Sequence, residues 1–451
     1  MAEATAAAPP PPPSLLNRLG LHRPELRAWA LYDVANSVFM TTVLMIFPIY
    51  FADVASAGVP PAEATRRFSL ATTFSMTIVA ILSPFLGAAA DYAGAKKKML
   101  GAFLGLGVTT TAGLFWVYRG DWVLGCVLFI LGNIGVTSSI VFYESLLPHI
   151  ASQEEVDRVS TAGYAVGYIG GGLLMGLNLA WIQKPAWFGI PDAATATRLS
   201  FLSAAVWWLL FAIPLFRRVP EPPRVIEKDE SPGANVVRVA LVRLRETLGE
   251  IRGYRHTFLF LVAFFIYNDG IGTIIRMASI YGREIGISPG ALITALLVTQ
   301  FVGIPFAFAF GMLAGKIGAK RAIFLSLAVY LVIAILGYYM KTAAHFFMLA
   351  ILVGTVQGGS QALSRSLFST MIPRHKSSEF FAFFSVFEKF AGILGPFVFS
   401  AVIAAQGSSR GAILSIMAFF LVGGVLLFFV DVEQGQRVAR QAEEEHAQVS
   451  P

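Results

Sequence analysis

What most constrains this chain is a series of apolar stretches, each about the 20 residues that a helix needs to cross the hydrocarbon core of a bilayer. They fall near 28–52, 68–90, 99–118, 122–147, 160–182 and 198–216, and again near 257–282, 290–314, 322–340, 345–372, 378–405 and 410–431. Hydrocarbon offers no water to backbone N–H and C=O groups, so each stretch must satisfy its own hydrogen bonds as a helix. The expectation is an all-α membrane protein with twelve transmembrane helices in two six-helix halves. Composition agrees: of 451 residues 56% are hydrophobic and 14% charged, and 38 are Phe, with a mean hydropathy of +0.68.

Between the halves lies the only long polar segment of the interior, 217–256. It carries nine basic residues, and Pro220, Pro222, Pro223 and Pro232 interrupt any helix in its first part. From Val237 the pattern changes: Val237, Leu241, Leu244, Leu248 and Ile251 recur every three or four residues, with Arg238, Arg245 and Arg252 on the other side. That spacing predicts an amphipathic helix lying on the membrane, apolar face down and arginines toward anionic lipid. The expected organisation is a tail over 1–27, a six-helix half over 28–216, a linker over 217–256, a second half over 257–432 and a tail over 433–451. Met1 to Pro13 is rich in Ala and Pro, does not read as a signal peptide and is expected to be disordered.

Charge sets the expected topology. With the N-terminus inside, 23 of the 34 Lys and Arg residues fall on inner segments and eight on outer ones, which places both termini and the linker in the cytoplasm and the chain in the cell (inner) membrane. The net charge of +7 is scattered over short loops rather than gathered in a patch, so it points to topology and not to nucleic acid. The single Cys126 excludes an intramolecular disulfide.

The halves repeat one another. Gly87, Asp91, Gly94, Ala95, Lys96 and Lys97 follow the second stretch, and Gly311, Gly315, Gly318, Ala319, Lys320 and Arg321 follow the eighth at the same spacing. Pro148, Gly167 and Gly170 match Pro373, Gly392 and Gly395 at one constant offset. Parallel six-helix repeats suit a transporter with two rocking halves and a site between them at mid-membrane.

The run Gly87 to Lys97 (G-A-A-A-D-Y-A-G-A-K-K) resembles the loop motif of the major facilitator superfamily, with Tyr92 where a basic residue is usual. Trp29 to Phe39, Tyr267 to Arg276, Gly358 to Phe368 and Phe380 to Pro396 resemble one branch of it, the family of the vacuolar effluxer linked to autophagy; Val34 stands where that pattern leads one to expect an aromatic residue. The resemblance implies a secondary transporter that needs no cofactor and, in fungi, exports neutral amino acids from the vacuole. The motifs themselves reveal no substrate.

Independent chemistry narrows the candidates. There is no GxxxxGK[ST] phosphate loop, so nothing here hydrolyses ATP. The six histidines fall in tails, loops or helix ends and are expected to be solvated, and no metal site is expected. Ionisable groups inside hydrocarbon are costly and are therefore default functional candidates. These are Asp33, with Tyr32 and Asn36 beside it, in the first helix; Asp269, with Asn268, and Arg276 in the seventh; Arg365, with Gln357 and Gln361, in the tenth; and Glu388 and Lys389 in the eleventh. Glu144 lies near the inner end of the fourth. Two arrangements fit: mutual pairing that only locks helices together, or a cavity lining that holds a zwitterionic or anionic solute and a coupling proton.

The expected function is secondary active transport of a small polar solute, an amino acid by resemblance, with a proton as coupling ion, by a monomer among membrane lipids. A non-transporting scaffold or receptor and a lipid-moving facilitator are the alternatives. Asp269 is expected to exchange a proton for a cation, Lys389 being the nearest choice, leaving Arg276 or Arg365 for a substrate carboxylate. Gly87, Asp91, Gly94, Lys96 and Lys97 are expected to form a conformational switch in which Asp91 caps the helix starting at Ser377 and Ser378.

Overall fold

The computed structural model describes residues 15–59, 61–224, 238–242, 245, 253–284, 286–287, 289–391, 394–406 and 409–447. The start of the chain and most of the linker, including Val237, Leu244, Leu248 and Ile251, lie outside them, as do the side chains of Arg276 and Lys389. Among the described residues, eleven helices are long and apolar enough to cross a membrane. They are α1 (Pro24–Ala55), α2, whose spanning part is Leu70–Ala93, α3 (Lys96–Trp116), α4 (Trp122–Ile150), α5 (Val156–Gln183) and α6 (Ala193–Arg218), then α7, spanning over Arg255–Ile275, α8, spanning over Thr294–Ile317, α9 (Ala319–Tyr338), α10 (Ala343–Thr370) and α13 (Arg410–Phe428). The eleventh crossing is made of two shorter helices, α11 (Ser377–Phe390) and α12 (Leu394–Gln406).

Each half has its own apolar core, one centred on Trp29, Phe47, Phe201 and Trp208, the other on Phe264, Tyr330, Phe368 and Phe420. The fold is the two-half, twelve-crossing architecture expected from the apolar stretches. One difference lies in 433–451, read above as a tail: there α14 (Val432–Ala447) packs back onto the second half. Its Gly435 rests on Met371, Gln436 Nε2 donates to Thr370 Oγ1 (3.1 Å), and His446 stacks on His375 with ring centroids 4.6 Å apart.

The repeated loops show how two copies of a motif diverge. Gly94 and Gly318 both take a left-handed backbone, φ +58° and +84°, the conformation that glycine adopts without a Cβ clash. In the first copy Lys97 Nζ donates to the carbonyls of Phe216 and Val219, capping the end of α6, while Lys96 is buried in an ion pair with Asp91 (2.6 Å). In the second copy Gly315 replaces the acid. Lys320, the positional match of Lys96, instead takes on the work of Lys97 and donates to Phe428 and Val430 at the end of α13 (3.0 and 2.7 Å). A lysine beside a helix end satisfies the last carbonyls wherever no acid competes for it.

The linker is anchored at both described points. Glu221 accepts from Lys97 N, and Arg224 donates to the Tyr92 carbonyl (3.0 Å) with its guanidinium over the Tyr92 ring. Arg238 to Val242 is helical; Ala240 is fully buried against Ala88 and Ala89 of α2, while Leu241 is 55% exposed. Thus one side of the linker helix packs on α2, and Leu241 points away from the protein.

Candidate functional site

The halves are held together at their terminus-side ends, where small and polar residues let backbones approach. Gly87 of α2 faces Ser378 of α11 so closely that a Cβ would stand 2.5 Å from the Ser378 carbonyl oxygen. Asp91, at the end of α2, accepts from Glu379 N in the first turn of α11 (3.0 Å), which is the contact expected of it. A carboxylate there meets free N–H groups and the positive end of the helix dipole. Ser377 and Ser378 donate to the Ser145 carbonyl and hydroxyl (both 3.1 Å). His149 is not solvated as expected: its Nε2 lies 3.2 Å from both Lys96 Nζ and Ser377 Oγ. Because a lysine ammonium can only donate, that nitrogen is the acceptor. His375, likewise expected in solvent, is buried under His446.

Asp91→Asn keeps an oxygen for Glu379 N but removes the charge that Lys96 and the helix end both bind. Cysteine probes on the side away from the termini are expected to lose accessibility as the protein leaves this conformation, while expression is unchanged. Labelling equal to that of the unmodified protein would end the idea of a latch.

Deeper in, Arg365 of α10 reaches from the second half into the first. It is 2% exposed. Nε donates to Ser160 Oγ and Nη2 to the Ser160 carbonyl (both 2.9 Å). Nη2 also donates to Asp33 Oδ2 (3.2 Å), and Nη1 lies 3.8 Å from Glu144 Oε1. The guanidinium sits over the rings of Trp29 and Tyr164, 4.8 and 4.6 Å from their centroids, an arrangement worth roughly 0.5–2 kcal/mol each. Gly163 makes the space: a Cβ there would stand 2.3 Å from Asp33 Oδ2 and 3.2 Å from Arg365 Nη2. Arg365 is therefore not open to a cavity as a spare cation for substrate; in this conformation two carboxylates hold it. Ser160, Tyr164 and Trp29 were not singled out from sequence as site residues, although Trp29 opens one of the family-like stretches.

The other candidates separate. Tyr32 is fully buried and packs on Tyr143 (centroids 4.8 Å) inside the first half, so it does not line the space between halves. Asn36 and Asn268 are mostly buried, and Gln357, Gln361 and Glu388 are partly exposed. Asp269 is fully buried, and its Oδ2 accepts from Gly395 N at the start of α12 (2.8 Å). The expected pairing with Lys389 involves a side chain outside the described residues. A largely apolar chamber of about 170 Å³ runs from the terminus-distal ends of α7 to α10 to Gln300 and Gln357 near mid-helix, with Met45 of α1 at its edge. Among the described residues, none that lines it is charged.

Residues 22–440 match the family described as vacuole effluxer Atg22 like. The chain is 37% identical over 417 residues to the "Uncharacterized MFS-type transporter YxiO" of Bacillus subtilis, covering 92% of this chain and 96% of that protein. It is 23% identical to the Autophagy-related protein 22 of Pyricularia oryzae over 81% of its own length and 65% of the fungal protein's, so it spans just under two-thirds of that relative. Among solved structures, the proton:xylose symporter XylE superposes with a TM-score of 0.67 at 15% identity over 96% of this chain and 99% of that one. FucP in an outward conformation gives 0.67 at 14% identity, over 90% and 98%.

Proposed function

This chain belongs to the vacuole effluxer Atg22-like family of major facilitator transporters, and from that premise we propose that it carries a small polar solute by alternating access, coupled to protons. It is a multi-pass membrane protein and not an enzyme. The lysine and arginine distribution supports termini in the cytoplasm, and the description of the matching family as vacuole effluxer like supports outward movement; the proposal is a monomer in the cell membrane with an amino acid as its solute.

The observation that carries this reading is the Arg365 cluster, which joins the halves through an ion pair to Asp33 beneath Tyr164. Rocking the halves apart on that side must break it. Separating a buried guanidinium from its carboxylates is costly unless another group takes over. A substrate carboxylate can replace Asp33 on Arg365, and a proton can neutralise the acid that is left behind, so binding and opening become linked. Asp269, buried on α7 where it meets the start of α12, is the second candidate proton carrier.

The test is a thermal-shift screen of the purified protein against amino acids, sugars and organic acids, followed by uptake into proteoliposomes with and without a pH gradient. A ligand at 100 times its Kd stabilises by about 2.7 kcal/mol, which such a screen detects. Accumulation should follow the pH gradient and collapse with a protonophore; uptake indifferent to both would remove proton coupling from the proposal.

A further inference from the structure

The eleventh crossing is broken where its counterpart in the first half is continuous. In the constant-offset repeat, Gly170 of α5 corresponds to Gly395 of α12. In both halves this glycine packs on the first helix of its half. A Cβ on Gly170 would stand 2.5 Å from Val34 Cγ1, next to Asp33; one on Gly395 would stand 1.8 Å from Thr273 Oγ1 and 3.1 Å from Asp269 Oδ1. The next residue differs: Gly171 in α5, Pro396 in α12. Proline lacks the N–H that would continue the ladder, and its ring clashes with the carbonyl four residues back. The α11 helix ends at Phe390, with Ala391 leaving it at φ −63° and ψ 103°.

Among the described residues the crossing resumes inside the membrane as α12 at Leu394, where the first N–H groups of a helix have no water to bind. The acceptor at Gly395 N comes from another helix: Asp269 Oδ2 of α7, at 2.8 Å. An anion is held there twice, by a charge-assisted hydrogen bond and by the helix dipole, and a neutral carboxyl loses both advantages. Among the elements packed most extensively on α7, the charged residues are Arg276 on α7 itself, Glu388 and Lys389 on α11 and Arg365 on α10, with Arg255, His256, Arg283 and Glu284 toward the ends of α7, Glu379 in the first turn of α11, His345 in the first turn of α10 and Arg410 at the start of α13; α12 carries none.

We infer that Asp269 is a positioning residue that, when ionised, clamps the half-helix α12 to α7, and that a proton on Asp269 releases the clamp. This rests on the reading of Asp269 as a proton carrier and adds what the proton does: it frees α12 to move relative to α7.

Hydrogen exchange of the first turn of α12, measured on the full-length protein in lipid nanodiscs across a range of pH and divided by intrinsic exchange rates, tests this without any transport assay. In the unmodified protein the protection of Gly395 N should fall by about tenfold on acidification, the scale of losing a charge-assisted hydrogen bond. Asp269→Asn, which keeps an acceptor but no charge, should show the low protection at every pH; Glu388→Gln should keep the pH dependence. Protection independent of pH in the unmodified protein, or a pH dependence that survives in Asp269→Asn, overturns the clamp. Since no solute is involved, a failure to find a transported solute would count against the proposed function and leave the clamp standing.

Discussion

Replacing Arg365 with methionine is expected to lower the stability of the protein by about 3–5 kcal/mol, the usual cost of stranding a buried charge when its partner is removed. The stranded groups are Asp33 and Glu144, which share this guanidinium from two helices of the other half. The same change removes the hydrogen bonds to Ser160 and the stacking on Trp29 and Tyr164. Adding Asp33→Asn to Arg365→Met should recover part of the stability, because an amide is far cheaper to bury than a lone carboxylate. Transport should not return, since Arg365 is the cation assigned to the substrate carboxylate. Unfolding followed by intrinsic fluorescence in detergent, together with counterflow in proteoliposomes, measures both effects. Unchanged unfolding in Arg365→Met, or counterflow in the double variant, contradicts the role assigned to the cluster.

The second large effect concerns Asp269. Asp269→Asn is expected to abolish accumulation against a gradient while leaving counterflow exchange. Exchange needs only binding and rocking; accumulation needs a proton to be taken up and released in each cycle. The asparagine fits the same space and can still accept from Gly395 N, so a loss of folding is not the expected cause. Accumulation driven by a pH gradient in the Asn variant would remove Asp269 as the coupling group and move attention to Asp33 and Glu388.

Much of this architecture was legible in the sequence because hydrocarbon leaves the backbone one choice. The apolar stretches gave the crossings, and the spacing of Gly87, Asp91 and Lys96 against Ser377 and Ser378 was enough to anticipate the cap on α11, since an acid after one helix and a helix start elsewhere are both local signals. The break in the eleventh crossing was not legible, because hydropathy is blind to it: 378–405 is apolar on both sides, and prolines elsewhere, such as Pro84 and Pro305, sit inside continuous helices. The Arg365 cluster was only half legible. A charge in an apolar stretch marks itself, whereas its partners are decided by which helices meet. Nothing in the local pattern of Ser160 or Gly163 says that α5 passes within 3 Å of α10. His149 and His375 looked exposed for the same reason, lying at the end of α4 and in the turn before α11, which the other half and α14 respectively then cover.

The repeat keeps its glycines and lysines in both loops but its acid in only one, at Asp91, with Gly315 opposite. A molecule assembled from two copies of the first half would carry two such acids, each able to seize the helix start of its neighbour, and would tend to stall shut on the terminus side. With one acid lost, the repeated loops hold one such catch between them against an otherwise two-fold body. If labelling of Asp91→Asn bears out the latch, the two ends of the cycle are not equivalent, and the difference between them lies in one side chain rather than in the fold.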